Sequence, residues 1–227
     1  MPLEEFRLLE KHGFKLLPYG LVKKESEALI LAKKIGYPVA MKLISPEATH
    51  KTDVGGVKVG IKNETGLVLA YSEILENAKM HKIKKIDGVL IQKMARKGLE
   101  LIIGGKKDPQ FGHMIILGFG GIYVEIFRDV TARLCPISKE DVVEMVAELK
   151  SHPLIEGARG NKGINMQALE QMMLRTCKFM KKEDISELDL NPVVFDEKGC
   201  DLIDVRCAYA RSSMAEGRDR KTEGRRK

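Results

Sequence analysis

A single lysine inside an otherwise apolar run limits the folds open to this chain more than any other feature. Residues 36–61 read GYPVAMKLISPEATHKTDVGGVKVGI. Pro38 to Ile44 has the content of a strand, and Lys42 interrupts its run VAMKLI. A lysine buried in such a strand costs several kcal/mol unless an anion meets it. A polar loop from Ser45 to Gly56 follows, and Val57 to Ile61 reads as a second strand. The loop sets His50, Lys51, Thr52, Asp53 and Val54 ahead of Gly55 and Gly56. Glycines let backbone N–H groups approach a phosphate closely. Strand, lysine, glycine loop and strand together suit a bound polyphosphate. The residues leave a plainer reading open, with Lys42 on a solvated strand face and Gly-Gly as a hairpin turn.

The rest of the chain supplies elements around this unit. Pro2 to His12 has helical spacing, with Gly13 as its stop. A short extended piece, Lys15 to Tyr19, leads to a helix from about Lys24 to Ile35 that Gly36 ends. Asn63 and Thr65 can cap a helix from about Glu64 to His81. Gly88 to Met94 and Leu99 to Gly104 are strand-like, as are His113 to Leu117, Ile122 to Phe127 and Ala132 to Ile137. Ser138 with Asp141 approximates a capping box. Met166, Met173 and Met180 recur every seven residues on a helix from about Asn165 to Met180, which points to core packing. Helices alternate with strands early and hairpins dominate later. The expected class is α/β of the α+β type, in two lobes hinged near Gln92: residues 1–91, residues 92–210 and a tail, 211–227.

Composition narrows the partners. The chain has 227 residues, 44% hydrophobic and 31% charged, which suits one large domain or two small lobes. No run of about 18 apolar residues is present to span a membrane. The N-terminus is charged and helical rather than a leader, so a cytoplasmic location is expected. The four cysteines, Cys135, Cys177, Cys200 and Cys207, have no CxxC spacing, so free buried thiols are expected. The tail holds seven basic and three acidic residues, which leaves three of the net +7 to the body. It reads as disordered, and nucleic acid is an unfavoured partner.

A second cluster closes the chain, in ELDLNPVVFDEKGCDLIDVR. Asp189 and Asn191 are i and i+2 on a strand and share a face. Pro192 is expected to stop strand pairing, and Asp204 follows a hairpin that could place it opposite. Two carboxylates and an amide oxygen are hard ligands that suit Mg²⁺. Taken alone they also suit a solvated strand edge. A third element, Gln92, Lys93 and Met94 with Glu100 beyond, has the makings of an apolar linker for adenine and an acid for ribose hydroxyls.

In this order the pieces resemble an ATP-grasp domain, and more closely the β subunit of the ADP-forming acetyl-CoA synthetases, relatives of succinyl-CoA synthetase. The stretches GYPVAMKLISPEATHKTDVGGVKVGI, GVLIQKMARKGLELIIGGKKDPQFGHMIILGFGGIYVEIFRDVTARLCPIS and ELDLNPVVFDEKGCDLIDVR carry the resemblance across most of residues 14 to 208. It implies two lobes with mostly antiparallel sheets and a nucleotide between them. It implies ATP or ADP and Mg²⁺ as cofactors. It implies Lys42 at the phosphates, residues 50–56 covering them, Gln92 to Met94 at adenine, Glu100 at ribose, and Asp189, Asn191 and Asp204 on Mg²⁺. In succinyl-CoA synthetase the first acid is commonly Glu, so Asp189 is one methylene shorter. The implied reaction makes ATP, acid and CoA from acyl-CoA, ADP and phosphate, through an acyl phosphate and a phosphohistidine. Imidazole is a good neutral nucleophile near pH 7, which makes His50 a candidate relay. No GxGxxG follows a strand, so the CoA-binding half and its phosphohistidine are expected on an α subunit, as α2β2. Another ATP-grasp carboxylate ligase and a nucleotide sensor are the alternatives.

Overall fold

The computed structural model describes residues 2–48, 51–120, 129–158 and 162–209. The first helix, α1 (Pro2–Lys11), precedes a four-stranded sheet built from β1 (Tyr19–Val22), β2 (Val39–Ile44), β3 (Val57–Ile61) and β4 (Gly88–Lys93). Its order is β1-β4-β2-β3, with every neighbouring pair antiparallel. Two helices, α2 (Glu25–Ile35) and α3 (Glu64–Met80), bury their apolar stripes on one face. Gly36 ends α2 at a φ of 82°, and the Asn63 side chain caps α3 by accepting from the Gly66 N–H.

Every residue of β2 is buried, and alternation explains it. Val39, Met41 and Leu43 meet α2 and α3 in the smaller core. Ile44 points the other way, and with Leu90 from β4 it enters the core of the second sheet. A strand covered on both faces reads as a continuous apolar run, so Lys42 sits inside the protein and not on its surface.

The larger sheet comprises β5 (Leu99–Asp108), β6 (Gly112–Phe119), β7 (Val130–Leu134), β8 (Ile185–Asp196), β9 (Gly199–Leu202) and β10 (Val205–Tyr209). Its order is β10-β8-β5-β6-β7, and β9 pairs with the far half of β8. Helices α4 (Lys139–Glu148), α5 (His152–Glu156) and α6 (Met166–Lys182) complete the described elements. Met173 and Met180 of α6 are fully buried, as their spacing indicates. Phe6, Leu9 and Phe14 also lie in this core, so α1 precedes the smaller sheet in the chain yet packs with the larger one.

Expectations about two strands and the cysteines change. The strand β5 continues past Gly104 to Asp108, because its ladder with β6 carries Lys106 and Lys107 along with it. The first strand lies at Tyr19–Val22, later than the extended piece 15–19, because that stretch pairs with β4. The cysteines are not all free. Cys135 and Cys177 form a disulfide, with Cα atoms 5.7 Å apart, where the end of β7 meets the buried face of α6; Cys200 and Cys207 are free. The expected strand 122–127 and the tail lie outside the described residues.

Candidate functional site

Lys42 and Gln92 face the larger sheet together. In the β2–β4 ladder Ala40 pairs with Gln92 and Lys42 with Leu90, so the two polar side chains are diagonal neighbours on one face. Both are buried, Lys42 to 7% exposure and Gln92 to 1%. Both donate to the same acceptor on the larger sheet. The distances to the Ile203 carbonyl oxygen are 3.1 Å from Lys42 Nζ and 3.3 Å from Gln92 Nε2. Burial pushes the Lys42 ammonium below the usual lysine pKa; Asp204 pulls it partly back, and Lys51 adds to the depression. A desolvated cation with acidic and basic neighbours is poised for an anion.

The acceptor lies on the turn between β9 and β10, and that turn is tied to β8. The Ile203 N–H donates to the Pro192 carbonyl at 3.1 Å, and the Asn191 N–H donates to the Asp204 carbonyl at 3.3 Å. Pro192 does not end its strand as expected. Instead β8 runs to Asp196 and changes partner, from β10 before Asn191 to β9 after Pro192. Its register with β5 shifts at the same place, where Pro192 has no N–H to give the ladder. This irregularity sets Asn191 against Asp204 and brings Asp204 beside Lys42.

Asp189 occupies the face of the larger sheet turned away from α6. One row on that face runs Arg206, Asp189, Gly104, Ile116, Ala132 across five strands. Burial pushes the Asp189 carboxyl above its usual pKa; the Arg206 guanidinium opposes this, and the charges on Asp204 and Glu187 reinforce it. Burial and the Asp204 charge both disfavour the ionised form of Asp189, a cost that a bound divalent cation would relieve. Among the described residues no cluster of three or more His, Cys, Asp or Glu could hold a metal alone. Asp189, Asn191 and Asp204 therefore fit Mg²⁺ only with further oxygens, as expected when phosphates share the ion.

The remaining candidates divide. The loop is tightly turned: the Gly55 N–H donates to Thr52 O at 3.0 Å and the Gly56 N–H to Lys51 O at 2.8 Å. Gly55 has a φ of 62°, and a Cβ there would lie 2.5 Å from Asn77 Nδ2, which holds the Gly55 carbonyl. Both glycine N–H groups are thus spent within the loop in this conformation. Val54 packs on the smaller core, Thr52 and Asp53 are exposed, and Lys51 is near enough to affect Lys42. His50 lies outside the described residues.

On the linker, the Lys93 ammonium donates to the carbonyls of Gly36 (2.7 Å) and Tyr37 (3.0 Å). The N–H groups of Lys93 and Met94 go to the carbonyls of Pro18 and Pro38. Glu100 is exposed on β5, four residues and about 13 Å along the strand from Gly104. It faces the same way as Gly104, which pairs with Asp189.

Three groups were not singled out from sequence. Arg206 becomes visible only once the hairpin fixes its register opposite Asp189. Glu5 of α1 accepts from the Cys207 N–H at 3.2 Å, and its pKa is raised by burial. The Ile203 carbonyl has no side-chain signature at all.

Known proteins resemble this chain along most of its length. The profile of the ATP-grasp domain matches residues 1–208. The chain is 43% identical to acetate–CoA ligase [ADP-forming] I of Archaeoglobus fulgidus over 205 residues, 89% of this chain but 30% of that one. It is 38% identical to the subunit β of acetate–CoA ligase [ADP-forming] I of Pyrococcus furiosus, covering 89% of this chain and 88% of the subunit. A solved structure of Ca. Korarchaeum cryptofilum acetyl-coenzyme A synthetase 1, in complex with coenzyme A and Ca-AMPCP, superposes with a TM-score of 0.86 at 38% identity. It covers 91% of this chain and 90% of that one. The chain therefore spans less than a third of some curated relatives and most of others.

Proposed function

The chain belongs to the ATP-grasp family, and from that premise we propose that it is the nucleotide-binding β subunit of an ADP-forming acyl-CoA synthetase. Its task is to accept a phosphoryl group onto ADP, in the direction that releases acid and CoA. The observation that carries this reading is the convergence of Lys42 and Asp204 at one junction between the two sheets. Phosphoryl transfer asks mainly for positioning and charge neutralisation, and these residue types provide both.

In this reading Lys42 and Lys51 meet the phosphates, and the turn 52–56 lies beside them. With the N–H groups of Lys93 and Met94 already bonded, the linker would approach adenine through carbonyls and the Met94 side chain. Glu100 takes the ribose hydroxyls. Asp189, Asn191 and Asp204 would hold Mg²⁺, which when bound neutralises phosphate charge and fixes the phosphate geometry. The lobes divide near Gln92, with α1 docked on the second.

A partner α subunit would supply the CoA site and a phosphohistidine, as α2β2 in the cytoplasm. Transfer then breaks the N–P bond of phosphohistidine and forms an O–P bond to the ADP β-phosphate, leaving neutral imidazole. His50 is proposed as a relay on the way. Absence of phosphohistidine on this chain during turnover, with His50→Ala still phosphorylating ADP, would remove the relay alone.

The function is tested by assaying the purified chain with and without its co-expressed partner, using acyl-CoA, Mg²⁺, ADP and phosphate. The chain alone should bind MgADP and form no ATP, and the pair should form ATP. ATP-dependent joining of a carboxylate to an amine by the chain alone would favour a different ligase.

A further inference from the structure

The side chain of Gln92 is fully buried, yet it does not reach towards the linker beyond β4. It points across the junction to the Ile203 carbonyl, the acceptor that Lys42 also uses. Three neighbouring backbone groups are bonded without the smaller sheet: the Ile203 N–H to the Pro192 carbonyl at 3.1 Å, the Asp204 carbonyl to the Asn191 N–H at 3.3 Å, and the Val205 N–H to Asp204 Oδ1 at 3.1 Å. Among the described residues, the hydrogen bonds to the Ile203 carbonyl come from the smaller sheet.

An ammonium has three N–H donors and a flexible four-carbon stem, so a single carbonyl contact leaves its position loosely set unless the carbonyl is itself held. Gln92 supplies that hold. Its amide is short, planar and packed on a rigid strand, and it sits on the face that carries Lys42. Pinning the carbonyl fixes one Lys42 N–H bond and leaves two donors for phosphate oxygens. The same contact fixes the turn that presents Asp204.

We propose that Gln92 is a positioning residue that acts on the phosphate-binding lysine through the shared Ile203 carbonyl, and not a residue that reads the nucleotide base. The role rests on the nucleotide-binding reading above, and it makes a distinct demand. A base-reading side chain matters for ADP and not for a ligand without a base. A residue that places Lys42 matters for both to the same degree.

The test is calorimetric titration of the full chain with MgADP, MgGDP and magnesium tripolyphosphate, for wild type, Lys42→Met, Gln92→Leu and Gln92→Met. Gln92→Met, unbranched and of similar volume, stands in if Gln92→Leu fails to fold by circular dichroism. Loss of one buried hydrogen bond that aligns a charge should weaken all three ligands by a common factor of about ten. Loss confined to ADP, a changed ADP-to-GDP ratio, or unchanged affinity in the folded variant would overturn the positioning role and leave the nucleotide site standing. Wild type that fails to bind MgADP, or Lys42→Met that binds it as well as wild type, would instead overturn the nucleotide site, and the positioning role with it.

Discussion

In the proposed role, Lys42 meets two opposed demands. Its burial depresses the ammonium pKa, while a polyphosphate needs its charge. Replacement by methionine should therefore separate stability from activity. Desolvation outweighs the pull of Asp204, so the charged form is disfavoured in the folded state, and nucleotide-free Lys42→Met should melt no lower than wild type. Transfer to ADP should fall about 10²- to 10³-fold, as when one charge-stabilising donor is removed elsewhere. Asp189 behaves in the same way with the opposite charge. Burial raises its pKa, Arg206 offsets this in part, and Asp204 adds to the rise, so Asp189→Asn should keep or gain thermal stability without Mg²⁺. The same variant should lose Mg²⁺-dependent nucleotide binding in a titration. A lower melting temperature for either variant without ligand would show that these charges hold the fold together and are not reserved for a ligand.

At the scale of elements, the chain around β7 is tied to the helices that follow by its own anchors. Asp129 is buried and accepts from the Lys150 and Ser151 N–H groups at 2.8 Å each, at the start of α5. Burial would raise its pKa, but the bonds from Ser151 and Lys150 outweigh it and hold the carboxyl below the ordinary value. A depressed carboxyl contributes stability that is present above the unfolded pKa, near 3.9, and lost as pH falls through the folded one. Asp129→Ala should cost about 1–3 kcal/mol in urea unfolding at pH 7, with the difference from wild type narrowing below about pH 4. The disulfide ties β7 to α6 across a separation of 42 residues. Closing a loop of that length removes about 4 kcal/mol of unfolded-state entropy. Thiol titration of the denatured, unreduced chain should count two free cysteines, and Cys177→Ser should unfold at lower urea. Four titratable thiols would restore the expectation drawn from spacing. Pro192 offers a related lesson. It marks an interruption in the ladder, as its chemistry requires, but whether a strand stops or shifts partner there depends on what lies on its other edge.

For the whole molecule, the decisive contact is between sheets. Ile44 and Leu90 leave the smaller sheet to join the larger core, and Lys42 and Gln92 follow the same face to the Ile203 carbonyl. A ligand that bridges this junction binds the folded state only. MgADP at 100 times its dissociation constant should add about 2.7 kcal/mol and raise the melting temperature, an effect that Asp189→Asn should abolish. Much of this arrangement is legible in local sequence. Apolar alternation, Gly36, Asn63 and Ser138 place most helices and strands within a few residues, because propensity and capping act over one turn or one ladder step. The lysine in VAMKLI and the acids at the end of the chain are recognisable by type, since each is chemically out of place in its surroundings. Other features depend on chain segments distant in sequence. The Ile203 carbonyl, the register that sets Arg206 opposite Asp189, the bonding of the Lys93 ammonium to the Gly36 carbonyl, the docking of α1 and the pairing of Cys135 with Cys177 all do. Local sequence determined which residues could hold a charged ligand, because side-chain chemistry is carried residue by residue. Tertiary structure alone decided which of them share a junction, because backbone acceptors and cross-strand neighbours exist only once separate segments have packed.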